Sequence, residues 1–333
     1  MCTALTLENK KQQWVFGRNM DFTILLDPSL YVVPRNYHWK SRCESRKFES
    51  AYAFIGAGQE IDGQIIVADG VNEKGLAGGM LYFPGYASYE DCPSADEGIV
   101  NLAAIEFLNY CLGSCADTQA VRDLIFQVCL VGISDSVTGI AAPLHWIFAD
   151  ASGKSIVVEK TADVFTVYDN PIGVLANSPE FPWHMTHLRL FLANDSYQKM
   201  ESEWGSVTLQ PFGQGAGSYG IPGDYTAPSR FVKTAFQKTY LTAPENISEA
   251  IVAGFHILSG VAVPKGVVLN ENGKPDYTQY TSFMDLQEST YYYSTYENRT
   301  VRYAQLQEVD MVAAEPVALC KMLEPTAFYP ISR

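Results

Sequence analysis

The sequence lacks long apolar runs. Nowhere do its 333 residues hold the ~18 unbroken apolar positions of a membrane-spanning helix, so no membrane is expected as a partner. No basic start is followed by an apolar stretch, so no signal peptide is expected. Basic charge is scarce as well: 23 Lys and Arg face 37 Asp and Glu, a net charge of −14. Phosphate backbones need basic patches, so nucleic acid is not expected as a partner. A single Arg can still hold a small anion in an acidic protein. Cysteine comes in an odd number, seven, at irregular spacing. With no secretory signal, these read as reduced thiols of a cytoplasmic protein. Cys111 and Cys115 lack a second Cys or His pair, and read as small apolar residues on one helix face. The five histidines are scattered. His184 and His187 could share a helix face, but no carboxylate accompanies them in the pattern, and they read as structural. The glycine-rich run 212–217 has no Lys-Ser/Thr pair of a phosphate loop. No cofactor or metal is expected. Repeats, low-complexity tracts and linkers are missing too, which predicts one domain over residues 1–333.

The most informative feature that is present is Cys2, directly behind Met1. Removing one methionine would leave a chain that begins with a thiol and a free α-amine. An α-amine titrates near pH 7.7–8.0, so it can serve as a base close to neutrality. Thiol and base on one residue make a self-contained nucleophile. The segment Cys2 to Leu7 reads as a strand, and Gln12 to Asp21 reads as its hairpin partner, with the turn at Glu8 to Lys11. Such a hairpin returns Arg18 and Asp21 towards Cys2. An Arg beside a thiol favours the thiolate, and an Asp beside an α-ammonium holds it in place. The plainer alternative is a surface ion pair worth well under ~1 kcal/mol.

Further strands are expected at Tyr52 to Ile55, Gln64 to Ala68 and Leu76 to Phe83, the last two joined by the turn Asn72-Glu73-Lys74-Gly75. Ile99, Leu102, Ile105, Leu108 and Leu112 recur at three- and four-residue spacing and predict a helix. A second helix is expected over Val121 to Val128. Strands follow at His145 to Phe148, Ser155 to Glu159 and Val164 to Tyr168. Helices are expected at Trp183 to Leu192, after Pro228, and at Ser248 to Leu258. Strands return at Thr278 to Met284, Ser289 to Tyr296 and Val301 to Leu306. This order suggests two packed sheets with helices outside, an α+β protein.

Six segments carry a resemblance: Met1-Cys2-Thr3, Gly17 to Phe22, Asp69 to Leu76, Tyr82 to Ala87, Asn177-Ser178-Pro179, and Gly220 to Asp224 with Pro228 to Phe231. In this order they resemble the choloylglycine hydrolase family of N-terminal-nucleophile amidases, which includes conjugated bile salt hydrolases and penicillin V acylases. The resemblance implies an αββα four-layer sandwich, a small-molecule N-acyl amide as substrate, and commonly a homotetramer. It implies that Cys2 is the nucleophile and its amine the base. Arg18 would lie beside the thiol and Asp21 would hold the amine. Asn177 would donate its side-chain amide to the oxyanion, and Arg230 would be a further active-site arginine. From local sequence alone, Asn177 reads as a turn residue and Arg230 as a solvated residue of a first helical turn. Position 82 separates the two branches: bile salt hydrolases usually carry Asn, whereas this chain has Tyr82, as Gram-positive penicillin V acylases do. An aryl ring there can stack on a phenoxyacetyl group. The expected activity is therefore that of a penicillin V acylase-like cysteine amidase, with a conjugated bile salt hydrolase as the alternative. A non-catalytic binding protein of the same fold is the third reading.

Overall fold

Apolar and β-branched residues run unbroken from Cys2 to Leu7, and the chain folds there into an antiparallel hairpin, Cys2–Glu8 against Trp14–Phe22. The computed structural model describes residues 1–326 together with Phe328, Pro330 and Ile331. The hairpin sits inside a six-stranded sheet in the order Val174–Leu175, Cys2–Glu8, Trp14–Phe22, Tyr277–Asp285, Thr290–Thr295, Arg302–Gln305. A second, eight-stranded sheet runs Phe165–Asp169, Ser155–Lys160, Leu144–Ala149, Ala77–Tyr82, Gln64–Asn72, Phe54–Ile61, Ser29–Val33, Val317–Lys321. Every pairing within both is antiparallel.

Period-2 alternation places each sheet between two layers. In Leu144–Ala149, Ile147 and Ala149 join the core shared with the first sheet, whereas Trp146 and Phe148 join a second core with Phe107, Leu108 and Leu112 of helix Phe107–Ser114. Helices Ala227–Tyr240 and Ile247–Ser259 cover the outer face of the first sheet through Phe231, Ala235, Ile251 and Leu258. The result is an αββα sandwich. Close approach of the helical layer depends on glycine. A Cβ on Gly17 would fall 2.2 Å from the Phe283 ring, and one on Gly254 would fall 2.3 Å from the same ring.

The strand expectations hold with shifts of a few residues, and the turn at Gly75 has the positive φ of +81° that glycine permits. The helix expected over residues 99–112 is corrected. Val100–Ala103 is a strand paired parallel to Val128–Val131, and the helix proper begins at Phe107. The second helix, expected over Val121 to Val128, ends at Leu124, and Val128 already opens the strand Val128–Val131. Both segments are apolar and short, and periodicity alone cannot separate a buried strand from a buried helix at that length. Among the described residues, no helix is long and apolar enough to cross a membrane.

Candidate active site

Strand register brings the terminal residues together. Cys2 lies opposite Met20 and Ala4 opposite Arg18, while on its other side the same strand sets Arg18 against Ser282 and Asp21 against Thr278. Arg18 Nη2 donates to Cys2 Sγ at 2.8 Å, and Arg18 Nη1 donates to the carbonyls of Ala68 at 2.9 Å and Met80 at 2.8 Å. Arg18 and Asp21 are both fully buried, which removes the surface ion-pair alternative. Burial acts to lower the Arg18 pKa, but the Cys2 thiol, Tyr280 and Asp69 outweigh it and hold the guanidinium charged.

Asp21 Oδ1 accepts from Thr278 Oγ1, while Asp21 Oδ2 is buried with no hydrogen-bond partner among the described residues and lies 3.8 Å from Arg230 Nη1. Burial raises the Asp21 pKa, with Arg230 and the chain-terminal ammonium opposing. The Met1 ammonium donates to the Asp21 carbonyl at 2.8 Å and pairs with Asp276 at 3.2 Å. The Asp21 carboxylate therefore stands beside the N-terminal path with an oxygen to spare.

Asn177 and Arg230, from distant parts of the chain, complete the cluster. Asn177 Oδ1 accepts from Cys2 N at 2.6 Å and from Arg230 Nη2 at 2.7 Å, and Asn177 Nδ2 donates to the Tyr82 carbonyl at 2.6 Å. Arg230 also donates to the Cys2 carbonyl and to Thr3 Oγ1. It is 1% exposed, so it is not the solvated helix residue that local sequence suggests, and burial lowers its pKa. All six residues singled out in the sequence converge here.

Three further buried residues support the cluster: His184, read from sequence as structural, and Asp69 and Gln279, which the sequence reading did not single out. His184 Nε2 bonds the Asn177 carbonyl at 2.8 Å, and burial lowers the His184 pKa to about 4, so it is neutral. Asp69 receives the Tyr280 and Tyr291 hydroxyls. Gln279 is the extra residue of a β-bulge opposite Met20 and Asp21; its amide bonds the Phe22 and Ile24 carbonyls and the Leu26 N–H. Position 69 lies within a motif quoted above, but nothing local marks its partners.

Cys2 opens into an apolar cavity walled by Leu26, Ile61, Ile66, Val137 and Leu144. Tyr82 is half-buried in this wall and meets Phe22 edge to face at 5.6 Å. The polar side chains among the lining residues include Gln59, Asp135 and Thr138. The Asp135 carboxylate is already taken up by Val137 N, Thr138 N and Thr138 Oγ1.

A buried thiol held by a guanidinium, an amide bonded to the same residue and an apolar cavity beside them suit a cysteine amidase. Residues 2–319 match the linear amide C–N hydrolases of the choloylglycine hydrolase family, and the chain belongs to that family. It is 38% identical over 313 residues to a bile salt hydrolase/transferase of Clostridium perfringens, covering 93% of this chain and 92% of that one. A crystal structure of a mutant conjugated bile acid hydrolase from Clostridium perfringens superposes with a TM-score of 0.92 at 34% identity, covering both chains fully. A penicillin V acylase from Agrobacterium tumefaciens shares the fold, with a TM-score of 0.75 at 22% identity over 97% of this chain and 94% of that one.

Proposed function

We propose that the chain hydrolyses the amide bond of conjugated bile salts through a thioester on Cys2. The carrying observation is the 2.8 Å contact between Arg18 and the Cys2 thiol at the foot of an apolar cavity. Once Met1 is removed, the Cys2 nitrogen, bonded to Asn177 Oδ1, becomes a free amine, with Asp21 read as the carboxylate that holds it. Its lone pair takes the Sγ proton, and the thiolate attacks the acyl carbon. The oxyanion receives the second N–H of Asn177 and the Tyr82 backbone N–H, the kind of donor whose loss costs ~10²–10³ in rate. The amine returns its proton to the leaving nitrogen, and water then cleaves the thioester. Arg230 holds Asn177 and the Cys2 carbonyl throughout.

Conjugated bile salts stand ahead of phenoxyacetyl amides here, in the reverse of the order that Tyr82 alone suggested. The support is the kinship to bile salt hydrolases at 38% identity, against fold likeness to a penicillin V acylase at 22%. Comparing kcat/KM for glycocholate, taurocholate and penicillin V on a preparation verified to begin at Cys2 tests the order. Faster cleavage of penicillin V would reverse it again, and no cleavage of any of the three would remove both substrate readings. The seven free cysteines support a reducing, cytoplasmic setting. The homotetramer that the resemblance implies would have exposed apolar side chains to bury at the hairpin Ser202–Trp204 and Val207–Leu209 and its surroundings, Trp204, Val207, Phe212 and Met200 among them.

A further inference from the structure

The middle of a β-sandwich is a costly place for a carboxylate, because burying a charge without partners costs several kcal/mol. Asp69 is fully buried there, on the strand Gln64–Asn72 of the eight-stranded sheet. Its partners come from the other sheet. Tyr280 Oη donates to Oδ2 at 2.7 Å, Ser282 Oγ donates to Oδ1 at 3.1 Å, and Tyr291 Oη also donates to Oδ1. Arg18 Nη1 stands 3.6 Å from Oδ2. Three hydroxyl donors and a guanidinium suit an acceptor-only carboxylate. Burial raises the Asp69 pKa, and Arg18 and the three hydroxyls oppose the rise.

The neighbouring backbone serves the same guanidinium. Pairing with Phe54–Ile61 slips one residue between Asp69 and Val67, which leaves Ala68 as the bulged residue. A bulge frees a backbone group from its ladder and re-aims it. The Ala68 carbonyl accepts from Arg18 Nη1. Bulge and carboxylate together grip one side of the guanidinium, and the other side faces Cys2 Sγ.

We propose that Asp69 is the positioning residue of Arg18, fixing the guanidinium against the Cys2 thiol and offsetting part of its charge there. The inference rests on the reading of Cys2 as the nucleophile. Charged and titratable groups face this thiol and guanidinium from every side: Asp69 from its bulged strand in the opposite sheet, Tyr280 and Tyr291 from strands of the hairpin's own sheet, Asp21 from the hairpin, and Arg230 from helix Ala227–Tyr240. Of these, Asp69 is the carboxylate paired with Arg18.

The test is the pH profile of Cys2 alkylation by iodoacetamide, followed by intact mass on the chain that begins at Cys2, from about pH 5 to about pH 9. Asp69→Asn keeps the shape and removes the charge. With the Arg18 charge no longer offset, the acid limb moves to lower pH by roughly half a unit or more. On glycocholate, kcat falls on the order of tenfold while KM stays within about threefold. A merely structural Asp69 would lower the melting temperature and leave the alkylation profile in place, and that outcome overturns the proposal. Should Asp69→Asn fail to fold, Tyr291→Phe and Ser282→Ala each remove one donor and should lower kcat a few-fold at unchanged KM; unchanged kcat in both also overturns it. Alkylation needs no amide substrate, so a parent enzyme inert towards glycocholate would sink the bile salt reading and still leave the Asp69 result decisive.

Discussion

Arg230 Nη2 donates to Asn177 Oδ1 at 2.7 Å, and this contact decides which way the Asn177 amide points. With Oδ1 held by Arg230 and Cys2 N, the Nδ2 group faces the Tyr82 carbonyl and the space above the thiol. Arg230→Gln should leave the amide free to turn over. We expect kcat to fall about tenfold or more, with a smaller change in KM. Steady-state kinetics on glycocholate check this, and an unchanged kcat would show that Asn177 is held without Arg230.

Processing at Met1 should switch the enzyme on. An N-terminal extension cleavable directly before Cys2 should give an inactive chain, because an acylated nitrogen cannot act as base. Activity should appear in step with cleavage, followed by intact mass. Full activity in the uncleaved chain would rule out the amine as base. Cys2→Ala should abolish turnover in the cleaved form while preserving the fold.

Gln279 should tune substrate grip. Its side chain ties together Phe22, Ile24 and Leu26, and Phe22 and Leu26 line the cavity. Gln279→Ala should loosen that loop and raise KM for glycocholate several-fold, with kcat held within about twofold, the pattern of lost ground-state binding. A fall in kcat at constant KM would place Gln279 in the chemistry instead.

His184 links stability to pH. Its folded pKa is lowered to about 4, chiefly by burial, against about 6.5 unfolded. Between these values the unfolded chain binds the extra proton, so stability is full above about pH 6.5 and is lost as pH falls towards 4. The loss is of order 3 kcal/mol at most. Urea titrations at about pH 7 and about pH 4.5 should differ by less in His184→Gln than in the parent. Equal differences would assign the acid loss to other groups.

Tyr82→Asn should act on the acyl group rather than on the mechanism. Aromatic contacts add about 0.5–1.5 kcal/mol beyond area burial, so kcat/KM for penicillin V should drop a few-fold to tenfold. Glycocholate should change less. Equal losses on both substrates would mean that Tyr82 merely shapes the wall.

Much of the site is legible in the sequence because the hairpin is local. A run of apolar and β-branched residues from Cys2 and a short polar turn are enough to return Arg18 and Asp21 to the terminus. The helix expected over residues 99–112 failed where Val100–Ala103 became a strand, since a short apolar run takes its state from the neighbours it meets. Asn177 and Arg230 were reachable only through family resemblance. Their local contexts point to a turn and a solvated helix start, yet both are buried against Cys2.

What the sequence by itself determined is the chemistry on offer: a thiol that can become N-terminal, an arginine and a carboxylate one hairpin away, and strands enough for two sheets. The tertiary structure alone decided how that chemistry is held. Packing the two sheets face to face set Asp69 of one against Tyr280, Ser282 and Tyr291 of the other, behind Arg18. It also placed His184 behind Asn177 and bulged Gln279 beneath the cavity loop. These pairings join residues up to 257 positions apart, and no local pattern encodes the distant ones. They follow from burial, where every polar group must find a partner across the core or lose several kcal/mol.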